Sequence, residues 1–111
     1  MGKLVRDKIP QILEAKGEKH VTHELSDSEY LFALGRKVVK EAWEVFEAVE
    51  IQYAEGILEE LADIQEVALA LLAAIGKTPE DLEDVRLQKL EEHGGFAGRI
   101  FLEEIIENST I

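Results

Sequence analysis

The sequence predicts an all-α fold in which two long antiparallel helices pack together with shorter helices around them. Two observations support this prediction. Apolar residues recur at three- and four-residue steps through the middle of the chain, and capping or helix-ending residues bound each periodic segment. A length of 111 residues indicates a single domain, residues 1–111, that is large enough for a modest core.

The first two helices begin with recognisable start signals. Pro10 favours a helix start, and the short helix that it opens is expected to end at Lys16, before Gly17. Ser26 followed three residues later by Glu29 matches a capping box, so a long second helix is expected from there to about residue 52. Its expected buried stripe consists of Leu31, Leu34, Val38, Ala42, Val45 and Val49.

The next two helices are bounded in a similar way. Residues 54–75 are expected to form the third helix, which Gly76 closes. The second half of this helix is apolar on nearly every side, which indicates burial between several helices. Thr78-Pro79 supplies a cap and a first-turn proline for a fourth helix, expected to run to about His93, before Gly94-Gly95.

The expected exposed surface of this arrangement leads to a prediction about assembly. Residues 96–111 are expected to form a loop and a short terminal element. A single pair of long helices leaves much apolar surface in contact with water. Pairing of subunits into a helical bundle, as a homodimer or homotetramer, is therefore expected.

Composition and charge disfavour several classes of function. The chain has 24 acidic and 12 basic residues and a formal net charge of −12, which opposes binding to nucleic acid. The absence of cysteine excludes disulfides, thiolate nucleophiles and cysteine-ligated zinc. The longest apolar run, Val67 to Ile75, is too short to span a membrane. The charged start, MGKLVRDKIP, lacks the apolar segment of a signal peptide, so a cytoplasmic location is expected.

Four acidic residues occupy positions where the helical pattern calls for apolar side chains. Glu41 falls in the middle of the apolar stripe of the second helix, and Glu44 lies on the same side, with Lys37 one turn before Glu41. Glu60 shares the apolar face of the third helix, and Asp63 lies one step toward its polar edge. An unpaired carboxylate at such an interface carries a desolvation cost on the order of several kcal/mol.

Three interpretations of these four carboxylates are open. Lys37 and other cations form structural salt bridges with them, or the helices are rotated so that the acids face solvent, or the four side chains face one another and bind a hard cation. Acidic pairs on facing helices are a known way to build a metal site within a bundle. Oxygen-only ligands favour Mg²⁺ or Mn²⁺ over zinc, with substrate phosphate completing the coordination.

Four segments together resemble a known family. They are KLVRDKIPQIL near the start, Glu41-x-x-Glu44, Glu60-x-x-Asp63 and the late GGFAGRI. In this order, over nearly the whole chain, they resemble the all-α nucleoside triphosphate pyrophosphohydrolases, in particular the small MazG-like, phosphoribosyl-ATP pyrophosphohydrolase-like branch. The resemblance implies a Mg²⁺-dependent cut between the α and β phosphates of a nucleotide, releasing a nucleoside monophosphate and pyrophosphate. It also implies that the four acids are the metal ligands and catalytic residues.

One position departs from the pattern of that family. The first motif usually reads EExxE, but here Lys40 precedes Glu41. A protonated lysine neither binds Mg²⁺ nor accepts a proton. Either a metal-activated water suffices, or another carboxylate replaces the general base, or catalysis is weak or lost. The last alternative describes a nucleotide-binding or regulatory module on the same scaffold.

Basic residues are candidates for binding the phosphates of the substrate. Lys3, Arg6 and Lys8 form a basic cluster in an otherwise acidic chain, and arginine suits bidentate phosphate contacts. The alternative is charge balance against nearby acids. Asp7 is expected to orient Arg6 rather than to bind metal. The other candidates, each with a salt bridge as its alternative role, are Lys37, Arg86, Lys89 and Arg99.

Overall fold

The computed structural model describes residues 2–107, and the fold within this range is entirely helical. Its helices are α1 (Ile9–Ala15), α2 (Asp27–Glu50), α3 (Ala54–Ala74) and α4 (Pro79–His93). The described residues contain no β-strand. The prediction of an all-α fold is therefore confirmed, and the helix bounds differ from the expected ones by one or two residues.

The start of α2 shows the predicted capping box. The Ser26 hydroxyl accepts a hydrogen bond from the Glu29 backbone amide at 3.3 Å, and the Glu29 carboxylate accepts one from the Ser26 amide at 3.1 Å. Two amides that would lack partners at the helix start are thereby satisfied. This cap fixes where α2 begins.

A short turn joins α2 to α3 and brings the two helices together. Gln52 has a φ of 53°, a left-handed conformation that reverses the chain direction. The Tyr53 ring then lies over Gly56, where an added Cβ would come within 2.6 Å of the Tyr53 Cδ2 atom. Gly56 is therefore required for this close approach of the ring. After the turn, α3 packs against α2 to form a helical hairpin.

The buried face of α2 differs in part from the predicted stripe. The buried residues are Leu34, Glu41 and Ala48, which recur every seven residues along the side facing α3. Ala42 and Val49 are exposed because each lies one position, about 100°, beyond a residue of that line. Leu31 is also exposed. The prediction was wrong for these three residues and correct in placing Glu41 at the centre of the interface.

Much apolar surface remains exposed on the hairpin. The apolar second half of α3 was expected to be buried between several helices, but α3 has no buried residue and Leu69 is exposed. On α2, one exposed face carries Phe32, Val39, Trp43 and Phe46, with relative exposures of 50–71%. Within residues 2–107 the buried hydrophobic core consists of Leu34 and Ala48 alone.

The chain divides into two compact units at the start of α4. The first unit ends at Pro79 and contains α1 to α3, and the second begins at Glu80. After α4, residues 94–107 form neither helix nor strand, so any part of the expected terminal element at 108–111 lies outside the described residues. No helix in the described part of the chain is both long and apolar enough to cross a bilayer.

Candidate metal centre

Four carboxylates converge where α2 packs against α3. Glu41 and Glu44 come from α2, and Glu60 and Asp63 come from α3. Each can offer one oxygen such that all four oxygens lie within 4.8 Å of one another. A spacing of three residues keeps each pair on one face of its helix, and the hairpin turns these two faces together. The sequence predicted this juxtaposition.

Burial leaves part of this cluster without a partner. Glu41 is only 7% exposed, and the other three acids are half-buried. The Oε2 atoms of Glu41 and Glu60 are buried and accept no hydrogen bond from the described residues. The alternative in which rotated helices expose the acids is therefore wrong for Glu41. A buried oxygen without a donor is costly, and a bound cation would remove that cost.

The carboxylates of the cluster perturb one another's protonation. Burial raises the pKa of Glu41, and the neighbouring Glu44 raises it further. Hydrogen bonding with Glu44, together with burial, raises the pKa of Glu60 to about 7. Burial opposes ionisation of Glu44, but hydrogen bonds with Glu41 and Glu60 outweigh it and lower its pKa. The cluster therefore holds protons at a pH at which an isolated glutamate is ionised.

Lysines near the cluster neutralise it only in part. Lys40 Nζ lies 3.8 Å from Glu44 Oε1, in an ion pair whose side chains are 51% and 33% exposed. An exposed pair at this distance contributes little stability. The positive charge of Lys37 acts on Glu41 and Glu44 and favours their ionised forms. Glu41 and Glu60 form no ion pair within residues 2–107, so salt bridges do not account for the whole cluster.

Arg6 contacts the fourth acid of the cluster directly. Its Nη2 donates a hydrogen bond to Asp63 Oδ1 at 2.6 Å, although the two residues are 57 positions apart. The sequence predicts that Asp7 orients Arg6; the contact with Asp63 fits the alternative of charge balance against a nearby acid. Arg6 precedes the first helix, where no helical period fixes the direction of a side chain, so the sequence offers no signal for this contact.

A cleft of about 380 Å³ opens beside the cluster. It lies between the segment before α1 and the faces of α2 and α3, and Glu41 and Asp63 form part of its wall. Its remaining lining combines cations, acids and apolar side chains: Leu4, Val5, Arg6, Asp7, Lys8, Tyr30, Leu34, Lys37, Glu66, Val67 and Ala70. Three of the predicted phosphate-binding cations thus lie together, and Lys3 is outside this lining.

The remaining candidate cations belong to the second unit. The Arg86 guanidinium donates hydrogen bonds to the Glu83 carboxylate at 2.8 and 2.5 Å. Arg86 thus forms a salt bridge, which is the alternative to phosphate binding that the sequence left open for it. Lys89 is exposed on α4, and Arg99 is exposed with a φ of 56°. Their role in binding phosphate stays a prediction from the sequence.

Comparison of the chain with protein-family models, with curated proteins and with solved structures finds no match. The chemistry of the site must therefore be argued from its own residues. All four donors are carboxylate oxygens, which suit hard cations such as Mg²⁺ and Mn²⁺. Two buried oxygens of the cluster, Oε2 of Glu41 and Oε2 of Glu60, have no hydrogen-bond partner among the described residues. The residues present therefore fit a divalent cation.

Proposed function

We propose that this protein is a Mg²⁺-dependent nucleoside triphosphate pyrophosphohydrolase of the house-cleaning type. It would cleave between the α and β phosphates and release a nucleoside monophosphate and pyrophosphate. The observation that carries the proposal is the buried carboxylate of Glu41, which has an unpartnered oxygen and faces three further acids. A binding site for a cation explains this arrangement better than a structural role does.

The metal ligands in this proposal are Glu41, Glu44, Glu60 and Asp63. When bound, Mg²⁺ supplies neutralisation of phosphate charge and activation of a water molecule. The protein holds the four acids on two rigid helices, so little rearrangement is needed to bring their oxygens together. Glu41 is the most buried of the four and is the ligand on which the proposal depends most.

The cations of the adjacent cleft fit the phosphates of a nucleotide. Arg6, Lys8 and Lys37 line this cleft beside Glu41 and Asp63. The same lining carries four acids, so an anionic substrate would bind here with a metal ion on the carboxylates and the three cations as direct partners of its phosphates. The apolar residues Leu34 and Val67 in the same lining offer a surface for the uncharged part of the substrate.

The choice of nucleotide class rests on the sequence. The ordered segments KLVRDKIPQIL, Glu41-x-x-Glu44, Glu60-x-x-Asp63 and GGFAGRI resemble the MazG-like pyrophosphohydrolases. The same resemblance makes phosphoribosyl-ATP an alternative substrate. The sequence contains no motif that identifies a particular base, so the first assay uses a panel of substrates.

That assay measures release of pyrophosphate from a panel of nucleoside triphosphates and phosphoribosyl-ATP in the presence of Mg²⁺. We expect pyrophosphate and the monophosphate as products, with activity lost in Asp63→Ala. Glu59→Gln is the matched control, because Glu59 is exposed next to Glu60 and lies outside the cluster. Release of inorganic phosphate, or no release from any substrate, would contradict the proposed reaction.

A second candidate function is nucleotide binding without turnover. Lys40 favours it, because Lys40 stands where the family motif usually has a glutamate and its ammonium group pairs with Glu44. We expect Lys40→Glu to increase the rate if the missing carboxylate is the general base. An unchanged rate would discard that role, and tight nucleotide binding without cleavage would favour the second candidate.

We also propose that the protein forms a homodimer or homotetramer. The exposed face with Phe32, Val39, Trp43 and Phe46 is large and apolar for a surface that stays in water. The Trp43 and Phe46 rings lie 5.6 Å apart and form its aromatic centre. Light scattering after gel filtration tests this: Trp43→Glu should reduce the assembly to monomers, and the exposed-site control Glu47→Gln should not.

A further inference from the structure

We propose that Arg6 exchanges partners during binding: it holds Asp63 while the cluster lacks a divalent cation, and it binds substrate phosphate once a cation takes that carboxylate. Metal would then bind before phosphate. The inference rests on the proposed metal site and adds to it an order of binding and a residue that couples the two steps.

The geometry makes Asp63 a shared partner. Its Oδ1 accepts a hydrogen bond from Arg6 Nη2 at 2.6 Å, and the same side chain offers an oxygen within 4.8 Å of those of the other three acids. A dication held by Asp63 would therefore meet a guanidinium bound to the same carboxylate. Like charges at this range repel each other, so the two cations compete.

The strength of the Arg6–Asp63 pair is suited to exchange. The Arg6 side chain is 60% exposed and that of Asp63 is 39% exposed. Water weakens an ion pair at this exposure. Competition from Arg6 is therefore expected to lower the affinity of the cluster for a metal ion by less than about fivefold. A dication bound by four carboxylates gains far more, so it displaces the guanidinium readily.

The cleft provides the second partner of Arg6. Arg6 lines this cleft together with Lys8 and Lys37, so a released guanidinium would stay in the cleft and could bind the same phosphate chain as these two lysines. The backbone of Arg6 is anchored, because its carbonyl accepts a hydrogen bond from the Ile9 amide at 3.0 Å, at the start of α1. Only the side chain has to change direction, from Asp63 into the cleft.

The test measures two equilibria with the full chain. Calorimetry follows binding of Mn²⁺ alone and, separately, binding of inorganic tripolyphosphate to protein saturated with Mg²⁺. We expect Arg6→Gln to tighten Mn²⁺ binding by about two- to fivefold, because a competing cation is removed. The same substitution should weaken tripolyphosphate binding by about tenfold, because a charge-assisted phosphate contact is lost. These opposite signs distinguish exchange from a structural role, which would weaken both equilibria or neither.

Two further variants complete the design. Lys8→Gln removes a positive charge from the same cleft without removing the contact to Asp63 and should leave Mn²⁺ affinity nearly unchanged. If Lys8→Gln tightened Mn²⁺ binding as much as Arg6→Gln does, the effect would come from removing any positive charge near the cluster. The proposed exchange of partners by Arg6 would then be wrong. Glu41→Gln separates the two proposals: if it abolishes Mn²⁺ binding while Arg6→Gln has no effect, the metal site stands and the exchange is wrong. Absence of Mn²⁺ binding to the unmodified chain would overturn both.

Discussion

Glu41 and Glu60 in the α2–α3 hairpin and Glu83 on α4 have pKa values shifted in opposite directions. Glu83 on α4 is exposed, and hydrogen bonds from Arg86, one turn away, lower its pKa. Glu41 and Glu60 meet other carboxylates instead, and burial and hydrogen bonding raise the pKa of both. The residue type is the same, so the difference comes entirely from the neighbours.

This comparison shows that an excess of acidic residues does not by itself mark a site. On α4 the counter-charge of Glu83 is supplied within the helix, and nothing further is needed. In the hairpin, four carboxylates lie close together, and only two of them form ion pairs among the described residues, Asp63 with Arg6 and Glu44 with Lys40. An added cation would therefore be stabilised by the carboxylates of the hairpin, whereas Glu83 is already paired with Arg86.

Replacing Glu41 is expected to produce the largest effect. Glu41→Gln keeps the shape of the side chain and removes its charge. Loss of a residue that only supports a metal ligand weakens metal binding by roughly 10- to 100-fold. Glu41→Gln removes a proposed ligand itself, so it should weaken Mn²⁺ binding by more than this. Without metal, it should stabilise the protein by on the order of 1 kcal/mol, because a buried charge is removed. Calorimetry and thermal unfolding in EDTA measure the two effects.

Glu83→Gln is the matched control from the other region. It should leave Mn²⁺ affinity unchanged and should not stabilise the protein, since it removes a paired and exposed charge. If Glu41→Gln destabilised the metal-free protein, the buried carboxylate would have a structural partner. Glu41 would then be a paired acid like Glu83, and the difference between the two regions would not hold.

Divalent cations are expected to raise the free energy of unfolding of the protein. A ligand that binds only the folded state at 100 times its Kd adds about 2.7 kcal/mol to the free energy of unfolding. Thermal unfolding with increasing Mg²⁺ or Mn²⁺ should therefore show a rising Tm. The rise should disappear in Glu60→Gln and persist in Glu59→Gln, which alters the exposed neighbour. Equal responses in both variants would mean that the cations act on surface charge in general.

The sequence predicted that the four acids lie close together, because helices have a fixed period. The capping box at Ser26 sets the start of α2, and the register that follows places Glu41 on the face buried against α3. Glu60 and Asp63 follow from the same argument in α3. Local rules were sufficient here, since both the cap and the spacing act over a few residues.

Other features could not be obtained in this way. The contact of Arg6 with Asp63 joins residues 57 positions apart and begins in a segment without helical period. The exposure of Ala42 and Val49 depends on which line of α2 faces α3, and the apolar period alone allowed a wider stripe. Both are properties of packing between segments, which a local pattern does not specify.

The pH dependence of stability offers a finer test of the comparison. The pKa of Glu60 rises from 4.5 to about 7 on folding, so the folded chain holds a proton that the unfolded chain has released in this range. The free energy of unfolding therefore falls as the pH rises through this window. In EDTA, the Tm should fall between about pH 5 and about pH 8 more steeply than in Glu60→Gln. Parallel curves would show that the net charge of the chain, rather than Glu60, sets the slope.

Substitution of Arg86 is expected to have the smallest effect and to be confined to α4. Hydrogen bonds from Arg86 hold the pKa of Glu83 below 4.5, so Arg86→Gln should return it toward that value. NMR titration of the side-chain carboxyl carbons can follow Glu83 and Glu60 in the same sample. Only the Glu83 curve should move, and it should move upward, while Glu60 continues to titrate near 7. A shift of Glu60 in Arg86→Gln would show that the two regions are electrostatically coupled and that the hairpin cluster is not set by its own residues alone.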